Sequence, residues 1–195
     1  MTTKYSDDFI EEHRDINVGH DWWDSTYDHF SHICEIMGID LDNNEPRFSG
    51  FWSQGDGASW TGTYSAIAKD MAPTYDMAPA KVREYAPEDE ELHRIADELC
   101  LLARIYHPTY AKVYRRGNYV HSHTMYVNEW EYIDEEIGFD GVDDAIAELI
   151  EETLLAQFRA LADWLYRYLE KEHDHLTSDE AVIDTLEANE IEEAA

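Results

Sequence analysis

Apolar residues recur every three or four positions over three long stretches of the chain, a spacing typical of helices that pack on one side. The longest stretch, 143–173, predicts a long C-terminal helix at the centre of the core. Shorter stretches predict helices over 21–38, ending at Gly38, and over 83–106, with Pro87 in the first turn. The core-facing apolar positions expected in the longest helix are Ile146, Leu149, Ile150, Leu154, Phe158, Leu161, Leu165 and Tyr168.

Four segments rich in aromatic and β-branched residues predict strands. They are RFSGFWSQ at 47–54, ASWTGTYS at 58–65, TYAKVYRRG at 109–117 and NYVHSHTMYVN at 118–128. A Gly-Asp-Gly turn joins the first two, and Gly117 with Asn118 joins the last two. The predicted fold is α+β: an antiparallel sheet of two aromatic-rich hairpins covered by helices, with a long C-terminal helix. We expect a single domain over 1–195 with a frayed acidic tail at 188–195.

The balance of charge is strongly acidic, since 44 Asp and Glu against 14 Lys and Arg give a formal net charge of -30. At 44% apolar and 13% aromatic residues, the composition is still that of a packed domain. Such a field repels nucleic-acid phosphates and anionic membranes and attracts basic surfaces. Two interpretations stay open: a solvated surface that keeps the protein soluble, and an acidic mimic that occupies a partner's nucleic-acid channel.

Acidic residues are concentrated in the second half of a segment, 117–158, that contains no Lys or Arg. Asp143 and Asp144 are expected in the first turn of the long helix, where the helix dipole favours anions. The EWEYIDEE stretch before them is predicted to form a partner-facing acidic patch. The whole patch comprises Glu129, Glu131, Asp134, Glu135, Glu136, Asp140, Asp143 and Asp144.

The cysteine content and the hydropathy of the chain indicate a compartment. Cys34 and Cys100 are the two cysteines, each lies in an apolar helical pattern, and the first residues do not resemble a secretion signal. No apolar run approaches the roughly 18 residues of a membrane span. We therefore expect a soluble protein in the reducing cytoplasm of the host cell, with no metal and no cofactor.

The stretch FSGFWSQGDGASWTG at 48–62 alternates aromatic residues with glycines around Gln-Gly-Asp-Gly. One interpretation is a hairpin turn whose glycines permit positive φ and leave room for aromatic neighbours. The other is an anion nest of backbone N–H groups at 55–57, with Ser53, Gln54 and Ser59 adding polar contacts. No P-loop, dinucleotide-binding or EF-hand spacing is present, so no motif indicates a phosphate or calcium site.

Two further features lie in the second predicted hairpin. His121 and His123 would project from one face of a strand, which is a spacing that metal ligands use. No third ligand can be identified, so paired surface or half-buried histidines are the favoured interpretation. Arg115 and Arg116 form a basic pair, expected either to balance neighbouring carboxylates or to bind an anionic ligand.

Five stretches over nearly the whole chain resemble a widespread family of phage, prophage and plasmid proteins. They are HDWWDSTYDHFSHICEIMGI, FSGFWSQGDGASWTG, VREYAPEDEELHRIAD, RRGNYVHSHTMYV and LADWLYRYLEKEHDHLTSDEAV. FSGFWSQGDGA is the most specific of them, and the chain departs from the family pattern at 122–124, just after His121. The resemblance implies a viral or mobile-element context, and some relatives carry the loose label antitoxin-like. It implies no catalytic residues.

These features favour a non-enzymatic role. The leading hypothesis is a phage-encoded counter-defence or host-takeover protein that inhibits a basic host nucleic-acid-binding or nuclease protein, as an acidic nucleic-acid mimic. One alternative is an antitoxin that neutralises a toxin. The other is a binding or enzymatic module that captures a nucleotide between Trp52, Gln54, Arg115 and His121. The residues expected to bind a partner or ligand are Trp22, Trp23, Asp24, Trp52, Ser53, Gln54, Asp56, Arg115, Arg116 and His121.

Overall fold

The fold is given by a computed structural model that describes residues 4–19, 21–43, 45–66, 75–106, 108–132 and 144–193. Residues His29–Tyr166 form one compact unit, here called the central unit. The two ends of the chain, up to Asp28 and from Arg167, form a second, the terminal unit. The prediction of a single domain stays a prediction.

The described residues contain both helices and strands, in mixed order along the chain. The helices are α1 (Asp7–Glu12), α2 (Asp24–Ile36), α3 (Ala78–Tyr85), α4 (Glu90–Tyr106), α5 (Asp144–Leu176) and α6 (Asp179–Ala188). The strands are β1 (Ile39–Leu41), β2 (Arg47–Phe48), β3 (Ala58–Ser59), β4 (Gly62–Ser65), β5 (Pro108–Arg115) and β6 (Met125–Tyr132). The long C-terminal helix is confirmed as α5. The stretch 83–106 contains the end of α3 and all of α4, because Ala86 leaves the helical conformation immediately before Pro87.

The main sheet is antiparallel, with strand order β1-β4-β5-β6, and confirms the predicted α+β class. β2 and β3 pair separately as a two-stranded hairpin. The predicted strand 58–65 is therefore divided between two sheets. Trp60 lies at the division with its side chain fully buried, and its indole N–H donates to the Phe158 carbonyl at 3.2 Å. Gly62 follows, where an added Cβ would lie only 2.5 Å from the Asp40 carbonyl oxygen, so β1 and β4 require glycine at this position.

One face of the main sheet forms the core of the central unit. The alternation of a strand buries Tyr64, Ala111, Val113, Met125 and Val127 on that face. α5 covers it, since the Phe158 ring lies 5.4 Å from the Trp60 ring and 5.6 Å from the Tyr64 ring, measured between centroids. These contacts confirm that helices cover the sheet.

The terminal unit has a small core of its own. Tyr5 and Ile10 from the region of α1 are buried with Val182 and Leu186 of α6. The Tyr5 hydroxyl donates to the Ile191 carbonyl at 2.9 Å, and the Ser6 amide donates to the Glu193 carboxylate at 2.9 Å. The segment for which fraying is predicted, 188–195, is described as far as residue 193 and makes these two contacts there.

Replacing Tyr64 by Phe tests whether the buried Tyr64 hydroxyl stabilises the fold. The Tyr64 hydroxyl is buried and has no hydrogen-bond partner in the part of the chain that the structure describes. Its burial raises the pKa of Tyr64. Removing the hydroxyl relieves a desolvation cost and leaves the ring on Phe158, so we expect Tyr64→Phe to keep or raise the free energy of unfolding, by up to about 1 kcal/mol. Urea denaturation measures this.

Trp60→Phe is the matched control in the same core. It removes both the indole hydrogen bond and side-chain volume, and we expect it to lower the free energy of unfolding by roughly 2 kcal/mol. A loss from Tyr64→Phe as large as that of Trp60→Phe would show that the hydroxyl makes a stabilising bond.

Candidate functional site

The loop 49–57, called the Gly-Asp loop below, is closed by its own hydrogen bonds. Ser49 and Gly57 bond across its base, at 3.1 Å from the Ser49 amide to the Gly57 carbonyl and 3.2 Å from the Gly57 amide to the Ser49 hydroxyl. The Asp56 carboxylate accepts from the Trp52 amide at 3.1 Å and the Ser53 amide at 2.7 Å, and the Asp56 amide donates to the Ser53 carbonyl. The amides of Asp56 and Gly57 thus donate within the loop. This supports the turn interpretation over the anion nest.

The two glycines that flank Asp56 serve different purposes. Gly55 has a φ of +98°, as a turn residue requires. Gly57 does not have a positive φ, but an added Cβ would lie 2.9 Å from the His121 ring, so glycine lets the Gly-Asp loop approach the loop 116–124. The second loop is called the His loop below.

The two loops bring exposed aromatic side chains to one region of the central unit. Ser49 donates to the Val120 carbonyl at 3.3 Å, and a Cβ on Gly55 would touch the Tyr119 ring at 3.9 Å. Trp52 on the Gly-Asp loop is 81% exposed and Tyr119 on the His loop is 71% exposed. Ser53 and Gln54 are also exposed. Tyr119 was not among the predicted site residues, although a tyrosine next to a predicted turn is a recognisable signal.

The prediction that His121 and His123 lie on a strand is wrong. Residues Ser122–Thr124 form a 3-10 turn, and β6 begins only at Met125. His121 caps this turn, because its Nδ1 accepts from the His123 amide at 3.1 Å. The two rings nevertheless stack, with centroids 4.9 Å apart and planes 11° apart. Within the described residues, no group of three or more His, Cys, Asp or Glu could hold a metal ion.

The basic pair is separated by the alternation of β5. Arg115 points to the covered side, where its side chain is 17% exposed, donates to the Ser59 hydroxyl at 3.1 Å and lies 3.5 Å from the Glu45 carboxylate. Burial raises the pKa of Glu45, while Arg115 and Arg47 oppose that shift. Arg116 is exposed, and its guanidinium lies 4.4 Å from the centre of the Tyr126 ring. Arg115 therefore balances a carboxylate, and the two arginines do not form one site.

Trp22, Trp23 and Asp24 belong to the terminal unit, whereas the other predicted binding residues belong to the central unit. The Trp22 ring contacts the Trp23 ring edge-on at 5.8 Å and the His173 ring at 5.5 Å. Both tryptophans are half-buried, and Asp24 is exposed in the first turn of α2. These contacts give the two tryptophans a packing role within their unit.

The predicted acidic patch is described only at its two ends. Glu129 and Glu131 lie in β6, and Asp144 is the exposed first residue of α5. The other members, Asp134, Glu135, Glu136, Asp140 and Asp143, lie outside the described residues. Further along α5, Glu148 and Glu152 are exposed and extend the acidic face of the helix.

Ile146 and Leu149, predicted to face the core, are 43% and 51% exposed. Leu101 and Ile105 of α4 are 51% and 55% exposed. α4 and α5 run antiparallel, because the Trp164 indole donates to the Asp89 carboxylate at 2.8 Å and Arg94 donates to Gln157 at 3.1 Å. Counted along the two helices, Ile105 and Ile146 lie equally far from the second of these contacts. The four residues Leu101, Ile105, Ile146 and Leu149 are called the apolar strip below.

Removing the Asp56 carboxylate tests the architecture of the Gly-Asp loop. We expect Asp56→Ala to release the Trp52 and Ser53 amides, because their shared acceptor is lost, and to speed their hydrogen exchange by roughly tenfold. Nuclear magnetic resonance measures both amides individually. Gln54→Ala is the matched control in the same loop, and its exchange rates should stay at the wild-type values. Unchanged exchange in Asp56→Ala would mean that the carboxylate does not hold the loop.

None of the described helices combines the length and hydropathy needed to cross a membrane. Comparison with known proteins gives one family: residues 22–179, most of the chain, match the model of a domain of unknown function, DUF8835. No curated protein and no solved structure matches the chain. The chain belongs to the family described as domain of unknown function DUF8835.

Proposed function

We propose that this protein is a phage-encoded, non-enzymatic inhibitor that binds the basic surface of a host nucleic-acid-binding or nuclease protein and acts there as an acidic nucleic-acid mimic. The phage context rests on the sequence resemblance. The observation that carries the proposed binding mode is the apolar strip, since it combines exposed apolar side chains with acidic neighbours. An antitoxin that neutralises a basic toxin differs from this function only in its target.

The apolar strip has the composition of a protein-binding surface. Protein interfaces have an apolar centre that excludes water and a polar rim that sets orientation and partner choice. Leu149 lies between Glu148 and Glu152 in the sequence of α5, and both acids are exposed. A partner that buries the strip would therefore meet carboxylates at its edge, and lysines or arginines would satisfy them.

The overall charge of -30 adds a long-range effect. It accelerates encounter with basic surfaces and repels other acidic proteins and nucleic acids. Such steering weakens as salt is added, because the Debye length falls to about 10 Å at 0.1 M ionic strength. Binding through this surface is thus expected to depend steeply on salt.

Neither cysteine has the properties of a catalytic nucleophile. Cys34 and Cys100 are both buried, and burial raises the pKa of each thiol. A raised pKa keeps a thiol protonated at neutral pH, and only the thiolate is a strong nucleophile.

The test neutralises the acids beside the strip without changing their shape. A host protein is first captured from bacterial lysate and identified, and its dissociation constant is then measured at low and high salt. We expect Asp144→Asn, Glu148→Gln and Glu152→Gln together to weaken binding by about tenfold and to flatten the salt dependence, because rim charges govern both.

The matched control removes the same charge from the terminal unit, through Glu12→Gln, Glu187→Gln and Glu192→Gln, all exposed in the structure. It should leave the dissociation constant nearly unchanged. Equal weakening by both triple variants would mean that net charge acts without a specific surface. A dissociation constant that changes neither with salt nor in either triple variant would contradict the proposed mimicry.

A further inference from the structure

The face of the main sheet opposite the core carries a group of aromatic and basic side chains. Along β5, Ala111 and Val113 are buried, whereas Lys112 and Tyr114 alternate with them on the other face. Arg116 continues this alternation just beyond the strand, where its amide donates to the Thr124 carbonyl at 2.9 Å. The register of β5 and β6 places Tyr126 directly beside Tyr114.

Tyr126 contacts both Tyr114 and Arg116. The Tyr114 and Tyr126 rings are 5.5 Å apart between centroids, with planes 22° apart. The Arg116 guanidinium lies over the Tyr126 ring at 4.4 Å, and the Lys112 ammonium lies 6.0 Å from the centre of the Tyr114 ring. Both tyrosines are half-buried, so part of each residue stays accessible to solvent. Tyr114, Tyr126 and Arg116 are called the tyrosine platform below.

The two cations differ in their partners. Lys112 forms an ion pair with Asp42 at 2.6 Å. Arg116 forms no ion pair with any carboxylate among the described residues, although the chain has 44 acidic residues. Stacking on Tyr126 leaves the N–H groups at the edge of a guanidinium available to an anion. The platform thus offers aromatic rings and a cation at one place.

We propose that the tyrosine platform binds a small nucleotide, with the base stacked on the tyrosines and a phosphate on Arg116. Aromatic side chains on the open face of a β-sheet are a recurrent platform for bases. Guanidinium groups bind phosphate oxygens through paired N–H donors. A mononucleotide suits the site better than a polynucleotide, because the net charge of -30 opposes a long polyanion.

This site differs from the nucleotide site considered from the sequence, which used Arg115. Arg115 lies on the covered side with Ser59 and Glu45, so the neighbouring arginine supplies the cation instead. The inference does not depend on the proposed protein partner, since the platform and the apolar strip share no residue.

Isothermal titration calorimetry with ATP, GTP, CTP and UTP, each without divalent cations, tests the proposal. At least one of the four nucleotides should bind. Its nucleoside, which lacks the phosphates, and inorganic tripolyphosphate, which lacks the base, should each bind about tenfold more weakly than that nucleotide. Arg116→Ala and Tyr126→Leu should each weaken nucleotide binding by about tenfold, and Tyr126→Phe should retain it.

Matched controls are Arg83→Ala, which removes an arginine from α3, and Tyr119→Leu, which removes an exposed tyrosine from the His loop. Both should bind like the wild type, as should the triple variant of Asp144, Glu148 and Glu152. Thermal denaturation verifies that each variant is folded.

The proposal is overturned if no nucleotide binds at millimolar concentration, if tripolyphosphate binds as tightly as the nucleotides, or if a ten-nucleotide single strand binds more tightly than any mononucleotide. Equal weakening by Arg116→Ala and Arg83→Ala would also overturn it.

Discussion

The contact of Phe158 with the sheet is the interaction on which the central unit depends. Its ring packs against Trp60 and Tyr64, and its carbonyl accepts the indole hydrogen bond of Trp60. One residue of α5 therefore holds both a strand of the main sheet and the segment that leads to the β2-β3 hairpin. Because this contact buries one face of the sheet, the alternation of each strand places the intervening side chains on the other face. The separation of Arg115 from Arg116 and the stacking of Tyr114 on Tyr126 both follow from it.

The sequence predicts the helices better than the ends of the strands. The apolar spacing of α5 is strong, and Phe158, Leu161 and Leu165 are fully buried as expected. Ile146 and Leu149 have the same spacing but are exposed. Periodicity identifies which side of a helix is apolar, but it does not tell how far along the helix a packing partner extends. Ile146 and Leu149, the two residues that α5 contributes to the apolar strip, were therefore predicted as core.

The predicted binding residues around 115–124 differ from the structure because local contacts and strand register decide their positions. The alternating polar residues at 121–124 fit a strand, yet the side chain of His121 caps a short turn and delays β6 to Met125. Local hydrogen bonds of this kind compete with strand pairing and leave little trace in a hydrophobic pattern. Whether Arg115 or Arg116 faces solvent depends on the register of β5, and a shift by one residue would exchange them. The positive φ of Gly55 was predictable because glycine has a direct conformational meaning, but the strand predicted over 47–54 ends at Phe48 and the rest of that segment is loop.

The few Lys and Arg side chains of the central unit differ in the partners that they contact. Arg83, Arg104 and Lys112 form ion pairs with Asp97, Asp76 and Asp42, mostly at exposed positions. Exposed pairs of this kind contribute little to stability, typically less than about 1 kcal/mol each. Their main effect is to neutralise a few of the many carboxylates, so the surface stays strongly acidic. Against that background, an arginine that stacks on a tyrosine has an unusual environment.

The two proposed surfaces lie on different elements of the central unit. The tyrosine platform is on the sheet face opposite the one that Phe158 packs against, and the apolar strip lies on α4 and the beginning of α5. A nucleotide on Tyr114 and Tyr126 would influence a partner on α5 only if it moved β5 or β6, because the buried face of the sheet is the link between them. That face is closely packed, and such interiors shift between discrete arrangements rather than deform gradually. Occupation of the platform by itself is thus expected to leave the apolar strip unchanged, and each surface can be altered by substitution without the other.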